Sequence, residues 1–149
     1  MDKLLATLRI AIGNTFTMYF KSHSYHWNVE GMLFSEFHAF FGDLYLDLHG
    51  AVDPLAEEIR KLDAYAPISL MEMYNYKTFA EDSTLPGSVH EMLMNLLQAN
   101  HETLNGLSQL FDEATKQKQQ GLANFAADRM SIHKKHEWMI KSYLKKLGD

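Results

Sequence analysis

The 149-residue chain contains no cysteine. That excludes disulfides, thiolate metal ligands and thiol nucleophiles, and it fits a reducing, cytoplasmic setting. Proline is confined to Pro54, Pro67 and Pro86, and the eight glycines are localised, so little obstructs long helices. No apolar run reaches the ~18 residues of a membrane span. The opening stretch, MDKLLATLRIAIGNTF, places Lys3 and Arg9 among its apolar positions and is too amphipathic for a secretory leader. An excess of positive charge is also missing. With net charge −5 and pI about 5.9, the chain lacks the basic balance of a nucleic-acid binder. No stretch alternates with the period of a strand.

What is present is helical periodicity. Hydrophobic residues at 46% and charged residues at 22% suit one globular domain over 1–149 with a sizeable core. Leu5, Leu8, Ile12, Phe16 and Tyr19 recur at helical spacing, which predicts a helix over 3–27. His23 and His26 continue that stripe. Phe37, Phe41, Leu44, Leu48, Val52, Leu55, Ile59 and Leu62 predict a second helix over 34–64. ISLMEMYNYKTF reads as a short helix, and AEDSTLPG as a loop. Ser88 and Glu91 form a capping-box sequence opening a helix over 89–116, with Leu93, Leu96, Leu97, Leu104, Leu107 and Phe111 inward. After the polar break KQKQQG, a last helix over 122–147 carries Phe125, Ile132, Met139, Ile140, Tyr143 and Leu147 inward. Four long amphipathic helices, with a long connection and a short extra helix between the second and third, predict an all-α, ferritin-like four-helix bundle.

The candidate chemistry lies on the first two helices. His26 precedes their turn and His38 follows it, twelve positions later, so the two reach similar heights in an antiparallel hairpin. Two neutral imidazoles suit a borderline divalent ion such as Fe²⁺ or Zn²⁺. Asp53 and Glu57 are spaced i,i+4 and lie roughly 60° and 100° around the helix from His38, flanking the core face. His49, one turn before Asp53, shares that flank. The fifteen residues from His38 to Asp53 span roughly 22 Å of helix, too far for one ion within one chain. Two copies of the second helix, crossing antiparallel about a two-fold axis, bring the histidines of one to the carboxylates of the other. No glutamate is followed by histidine at +3, so the intrasubunit di-iron pattern of such bundles is missing; nor is there a His-Glu-x-x-His zinc motif. The bland alternatives stay open here. Either histidine alone reads as packed or hydrogen-bonded. Asp53-Pro54 also reads as the N-cap and first position of a new helix, with Gly50 easing either course of the backbone.

These residues resemble the signature of the Dps family, the DNA-protection-during-starvation mini-ferritins: His26-Trp27, then His38, then VDPLAEEI with Asp53 and Glu57. PISLMEMYNY resembles the short helix of that family, and KHEWMIKSYLKK, with His136 and Trp138, its last helix. The resemblance covers nearly the whole chain. It implies a dodecameric shell with ferroxidase sites at two-fold interfaces, where His26 and His38 of one subunit and Asp53 and Glu57 of its partner bind iron (Fe²⁺/Fe³⁺), with Trp27 beside them as a quencher of oxidising intermediates. It further implies oxidation of Fe²⁺ by hydrogen peroxide or O₂, two ions per complete site, and storage of ferric oxyhydroxide.

The chain departs from the family pattern in three ways. Gly42 stands where many members have aspartate, which weakens the second iron position; Asp43 is adjacent but turned about 100° away. Pro54 sits inside the ligand helix and predicts a kink that does not end it. No lysine-rich tail precedes the first helix, and Lys141, Lys145 and Lys146 read as solvated charges complementing a helix C-terminus, so no strong DNA binding is expected. Asp128, the only acid between Glu113 and Glu137, is the candidate for an iron-entry pore. A shell or metal-binding protein that kept this fold without turnover is the alternative reading, and Gly42 motivates it.

Overall fold

The computed structural model describes the backbone of residues 1–147 and the side chains through 145. The inward placement expected for Leu147 and the charge of Lys146 therefore lie outside the described residues. The described residues form five helices: α1 (Asp2–Asn28), α2 (Phe34–Lys61), α3 (Leu70–Tyr76), α4 (Val89–Lys116) and α5 (Gln120–Leu147). The described residues contain no strand. α1 pairs with α2 and α4 with α5, and α1 also packs on α4, closing a four-helix bundle that α3 caps along α1. None of these helices is long and apolar enough to cross a membrane.

α4 begins where the capping box places it. Ser88 Oγ accepts from the Glu91 N–H at 3.1 Å, and the Glu91 carboxylate reaches back to the Gly87 N–H at 2.9 Å, one residue before the cap. α3 carries the same device, unrecognised in the sequence: Ser69 Oγ accepts from Glu72 N–H, and Glu72 Oε2 accepts from Ile68 N–H. It is shorter than ISLMEMYNYKTF suggests because Lys77 turns extended, freeing the Thr78 N–H to donate to Asn14 Oδ1 at 2.8 Å. Gly13 makes that crossing possible, since a Cβ there would lie 2.7 Å from Tyr76 Cβ and 2.9 Å from the Lys77 nitrogen. α2 ends at Lys61, three residues before the expected 64, because Asp63 adopts φ 62 and Ala64 N–H bonds back to the Ile59 carbonyl, a left-handed helix terminus.

α2 runs unbroken through Pro54, so Asp53 is a helix-interior residue and its N-cap reading is excluded. Proline removes one backbone donor and crowds the carbonyl four residues back. Pro54→Ala is therefore expected to stabilise the fold by about 1–2 kcal/mol, net of the entropy the unfolded chain regains. Chemical denaturation of the intact protein checks this, and an unchanged or lower stability refutes it.

The core has two apolar ends. Leu4, Leu8, Ile12, Leu55, Ile59 and Leu107 pack at one, and Tyr25, Phe37, Phe41, Leu93, Leu96 and Ile140 at the other. The middle layer is thin in apolar side chains, with Met18, Leu48 and Ala99. Polar residues complete it: Asn100, Thr103, Arg129, His133 and His136 are all buried. The α2 stripe is buried largely as expected, as are Leu8, Ile12, Leu93, Leu96, Leu107 and Ile140, while the rest of the expected stripes is offset. On α1 the fully buried line is Leu4, Leu8, Ala11, Thr15, Met18, Ser22 and Tyr25, while Leu5, Phe16 and Tyr19 are half-buried at its edge. On α4 and α5, Leu97, Leu104, Phe111, Phe125, Ile132, Met139 and Tyr143 are likewise half-buried. Small and polar residues help to fill the centre, and a search for large apolar side chains passes over them.

Candidate metal centre

The α1–α2 turn brings His26 and His38 into contact. Their rings stack 3.7 Å apart at 18°. Each ring is held by the other residue's backbone: His26 Nδ1 lies 2.6 Å from the His38 carbonyl, and His38 Nδ1 lies 2.6 Å from the His26 carbonyl. A carbonyl only accepts, so each Nδ1 carries the proton. In the neutral rings both Nε2 lone pairs are left free, the arrangement a metal-binding histidine needs. Both residues are half-buried, reachable from the surface yet fixed by packing.

The stack continues beyond this pair. Phe34 lies on His38 at 4.9 Å, Tyr45 stacks on His23 at 3.8 Å, and Trp27 covers the other face of His23 at 4.0 Å. Tyr19 joins His23, with its hydroxyl 3.0 Å from Nδ1, to His49, with ring centroids 5.0 Å apart. Desolvation, with the neighbouring His26 and His49, holds His23 below the ordinary histidine range. His23, Tyr19 and Tyr45 were not read as site residues from the sequence. The signal that points to them is the i,i+4 ladder Tyr45, His49, Asp53, Glu57 along α2, facing the antiparallel His26, His23, Tyr19 along α1.

Gly42 has a geometric role. It is buried against His26, and a Cβ there would lie 3.1 Å from His26 Nδ1 and 3.2 Å from Cε1. The missing side chain is the space into which the imidazole fits. Asp43, by contrast, is exposed, and its charge helps raise the Tyr143 phenol after burial and Glu36, so it faces the end of α5 and is not grouped with the histidines. Asp53, Glu57 and His49 are exposed on the flank of α2, and Asp128 is exposed on α5. Among the described residues, no three His, Asp or Glu side chains of one chain converge where an ion would bind. The helical span of roughly 22 Å between His38 and Asp53 accounts for this on α2.

The chain matches known proteins along nearly its entire length. A family model described as a ferritin-like domain covers residues 5–148. General stress protein 20U of Bacillus subtilis is 30% identical over 96% of this chain and 98% of its own length. The chain belongs to the Dps family of ferritin-like proteins. The DNA protection during starvation protein of Brevibacillus brevis is 26% identical, over 89% of each chain. A Dps protein from Vibrio cholerae O1, described as one of a broad superfamily of ferritin-like diiron-carboxylate proteins, superimposes with TM-score 0.91 and 26% identity over 96% of this chain and 89% of that one.

For a Dps chain, Gly42 gives a direct test of the histidine geometry. Gly42→Ala is expected to preserve the fold while displacing the His26 ring and loosening its bond to the His38 carbonyl. Loss of such an orienting contact costs about 10–100-fold in metal affinity. Titration with Co²⁺ checks this, and an unchanged affinity would show that the ring does not depend on that space.

Proposed function

We propose that this Dps chain is an iron-oxidising and iron-storing mini-ferritin whose ferroxidase sites form between subunits. The observation that carries the reading is the reciprocal Nδ1–carbonyl pairing of His26 and His38. It orients two imidazoles through their backbones and leaves both Nε2 atoms for Fe²⁺. Asp53 and Glu57 of the partner subunit supply the carboxylates, whose charge favours Fe³⁺ over Fe²⁺ and so drives oxidation. Iron is the substrate and cargo: two Fe²⁺ and one hydrogen peroxide, with two protons, yield two Fe³⁺ and two water molecules. O₂ is the alternative oxidant. Trp27, 56% exposed, lies against His23, placed to take up stray oxidising equivalents.

The surface supports a two-fold on this face. Leu46 is 62% exposed and lies roughly 80° around α2 from His38, between the directions of Asp53 and Glu57. Phe20, Leu70 and Met71 are also exposed, and with Phe16 and Tyr74 they line an open groove of about 410 Å³ beside α3. Contiguous exposed apolar surface of this kind marks an association site. A closed dodecamer in the cytoplasm, storing ferric oxyhydroxide, completes the proposal. DNA compaction has little support: Lys134 and Lys141 both lie within 4 Å of Glu137, which spends their charge locally.

The deciding experiment measures particle mass and peroxide-driven Fe²⁺ oxidation on one sample. A large closed assembly consuming one peroxide per two Fe²⁺ supports the reading. A monomer rejects the shared site. A shell that binds Fe²⁺ without turnover establishes instead the second reading, a non-catalytic metal-binding shell, which Gly42 in place of a ligand favours.

A further inference from the structure

The middle of the bundle holds a second set of metal-type donors. Asp47 on α2 and His133 and His136 on α5 are the residue types of a two-histidine, one-carboxylate set suited to Fe²⁺ and similar ions, although with Arg129 between them they do not converge on an ion position. Arg129 stands among them. Its Nη1 and Nη2 donate to the two Asp47 oxygens at 2.9 and 3.0 Å, and Nη2 lies 3.2 Å from His133 Nε2. His136 Nε2 donates to Asp47 Oδ2 at 2.8 Å. His133 is oriented as a ligand would be. Asn100 Nδ2 donates to the His133 carbonyl at 2.9 Å, which fixes the amide so that its Oδ1 accepts from His133 Nδ1 at 2.8 Å. The Nε2 lone pair of His133 is therefore aimed at the guanidinium.

We infer that Arg129 fills, and thereby closes to divalent metal ions, a ligand cluster built by Asp47, His133 and His136 inside the bundle. Four features support this. The cluster lies between α2, α4 and α5, in the core region where bundles of this class hold metal from inward-facing side chains. The positive guanidinium contacts two of the three donor residues, Asp47 and His133, and repels a cation from the space between them. Ligand bonds of about 2.0–2.2 Å require Asp47 Oδ2 and His133 Nε2, now 3.0 and 3.2 Å from Nη2, to close by roughly 1 Å, which the planar guanidinium prevents. Finally, Arg129 Nε is buried without a hydrogen-bond partner, so the surrounding donors gather at one end of the guanidinium and not around the whole of it. Iron is in this way kept out of the interior. His136 would release its Nε2 proton on ligation, as metal binding commonly demands.

The test uses the full chain in a His26→Ala, His38→Ala background, so that it stands or falls separately from the interface reading. The probe is Co²⁺ alone, read by its visible spectrum and by metal counting. Adding Arg129→Met, which removes the charge and keeps bulk, is expected to create one further Co²⁺ site per chain. Adding His133→Ala to that variant is expected to abolish it, and Arg129→Lys, which keeps the charge, to leave the parent behaviour. Co²⁺ should also raise the melting temperature of the methionine variant and not that of the parent. A folded methionine variant that binds no more Co²⁺ than the parent overturns the inference. So does a parent that already binds Co²⁺ in a His133-dependent way. Should the methionine variant be unfolded without metal, Co²⁺-induced recovery of helical circular dichroism, absent when His133→Ala is added, supports the inference, and no recovery overturns it.

Discussion

Mixed dimers of a chain carrying His26→Ala and His38→Ala with a chain carrying Asp53→Ala and Glu57→Ala are expected to regain ferrous-oxidation activity that neither variant has alone. In a two-fold dimer of the two, one interface site loses every ligand and the other keeps all four. Activity should therefore return to about half that of the parent dimer, with independent sites. The prediction follows from the stacked histidine pair at the α1–α2 turn and from carboxylates roughly 22 Å farther along an unbroken α2. Were each site completed within one chain, both variants would carry only half-sites and the mixture would stay inactive. Two affinity tags, purified in sequence, isolate the mixed species. The variants should fold, because Asp53 and Glu57 are exposed and the histidines lie at the edge of the core.

The second large effect concerns stability. Asp47→Leu leaves the Arg129 guanidinium, only 6% exposed, without its carboxylate. Breaking a buried pair on one side costs about 3–5 kcal/mol. The Asp47 side chain is 28% exposed, so solvent screening favours the lower end of that range. Replacing both partners, Asp47→Leu with Arg129→Met, should recover much of the loss, because an apolar pair leaves no uncompensated charge. Denaturant unfolding of the single and double variants measures both effects, and a double variant no more stable than the single would refute the ion-pair explanation.

This network also sets a pH dependence. Burial alone would raise the Asp47 carboxyl, but hydrogen bonds from His136 and Arg129, with their charges, outweigh it and hold the carboxyl well below the usual range. Its folded pKa lies below the unfolded one, so its stabilisation is complete above about pH 4–5 and is lost as the pH falls through the folded value. Burial first, then the charges of Arg129 and His136, push His133 well below the ordinary histidine value. Its stabilisation is likewise complete above about pH 6.5 and declines below it, by up to about 1.4 kcal/mol per pH unit. Parent stability should therefore fall between pH 6.5 and 5, and His133→Gln should flatten that slope. An unchanged slope would place its origin elsewhere.

Helix positions, the bundle class and the pairing of His26 with His38 were legible in the sequence because each depends on local periodicity or short spacing. Apolar stripes at helical intervals and the Ser88 cap bracket α4 at both ends, and the distance along α2 follows from rise per residue alone. What the sequence left open at Asp53-Pro54 was decided by packing. Leu55 and Ile59 are buried in the same core as Leu4 and Leu8, which favours carrying the helix through the proline. The reciprocal histidine bonds and the space above Gly42 depend on two helices meeting at a particular depth, and no spacing rule reports that. The same holds for Asp47 and Arg129, 82 positions apart. Arg129, His133 and His136 follow one another on α5 at i,i+4 and i,i+3 and so share a face, but only the packing of α2, α4 and α5 turned scattered polar residues into one network. Local patterns are written along one chain segment, whereas these contacts join segments whose separation in space is set by how every other side chain packs.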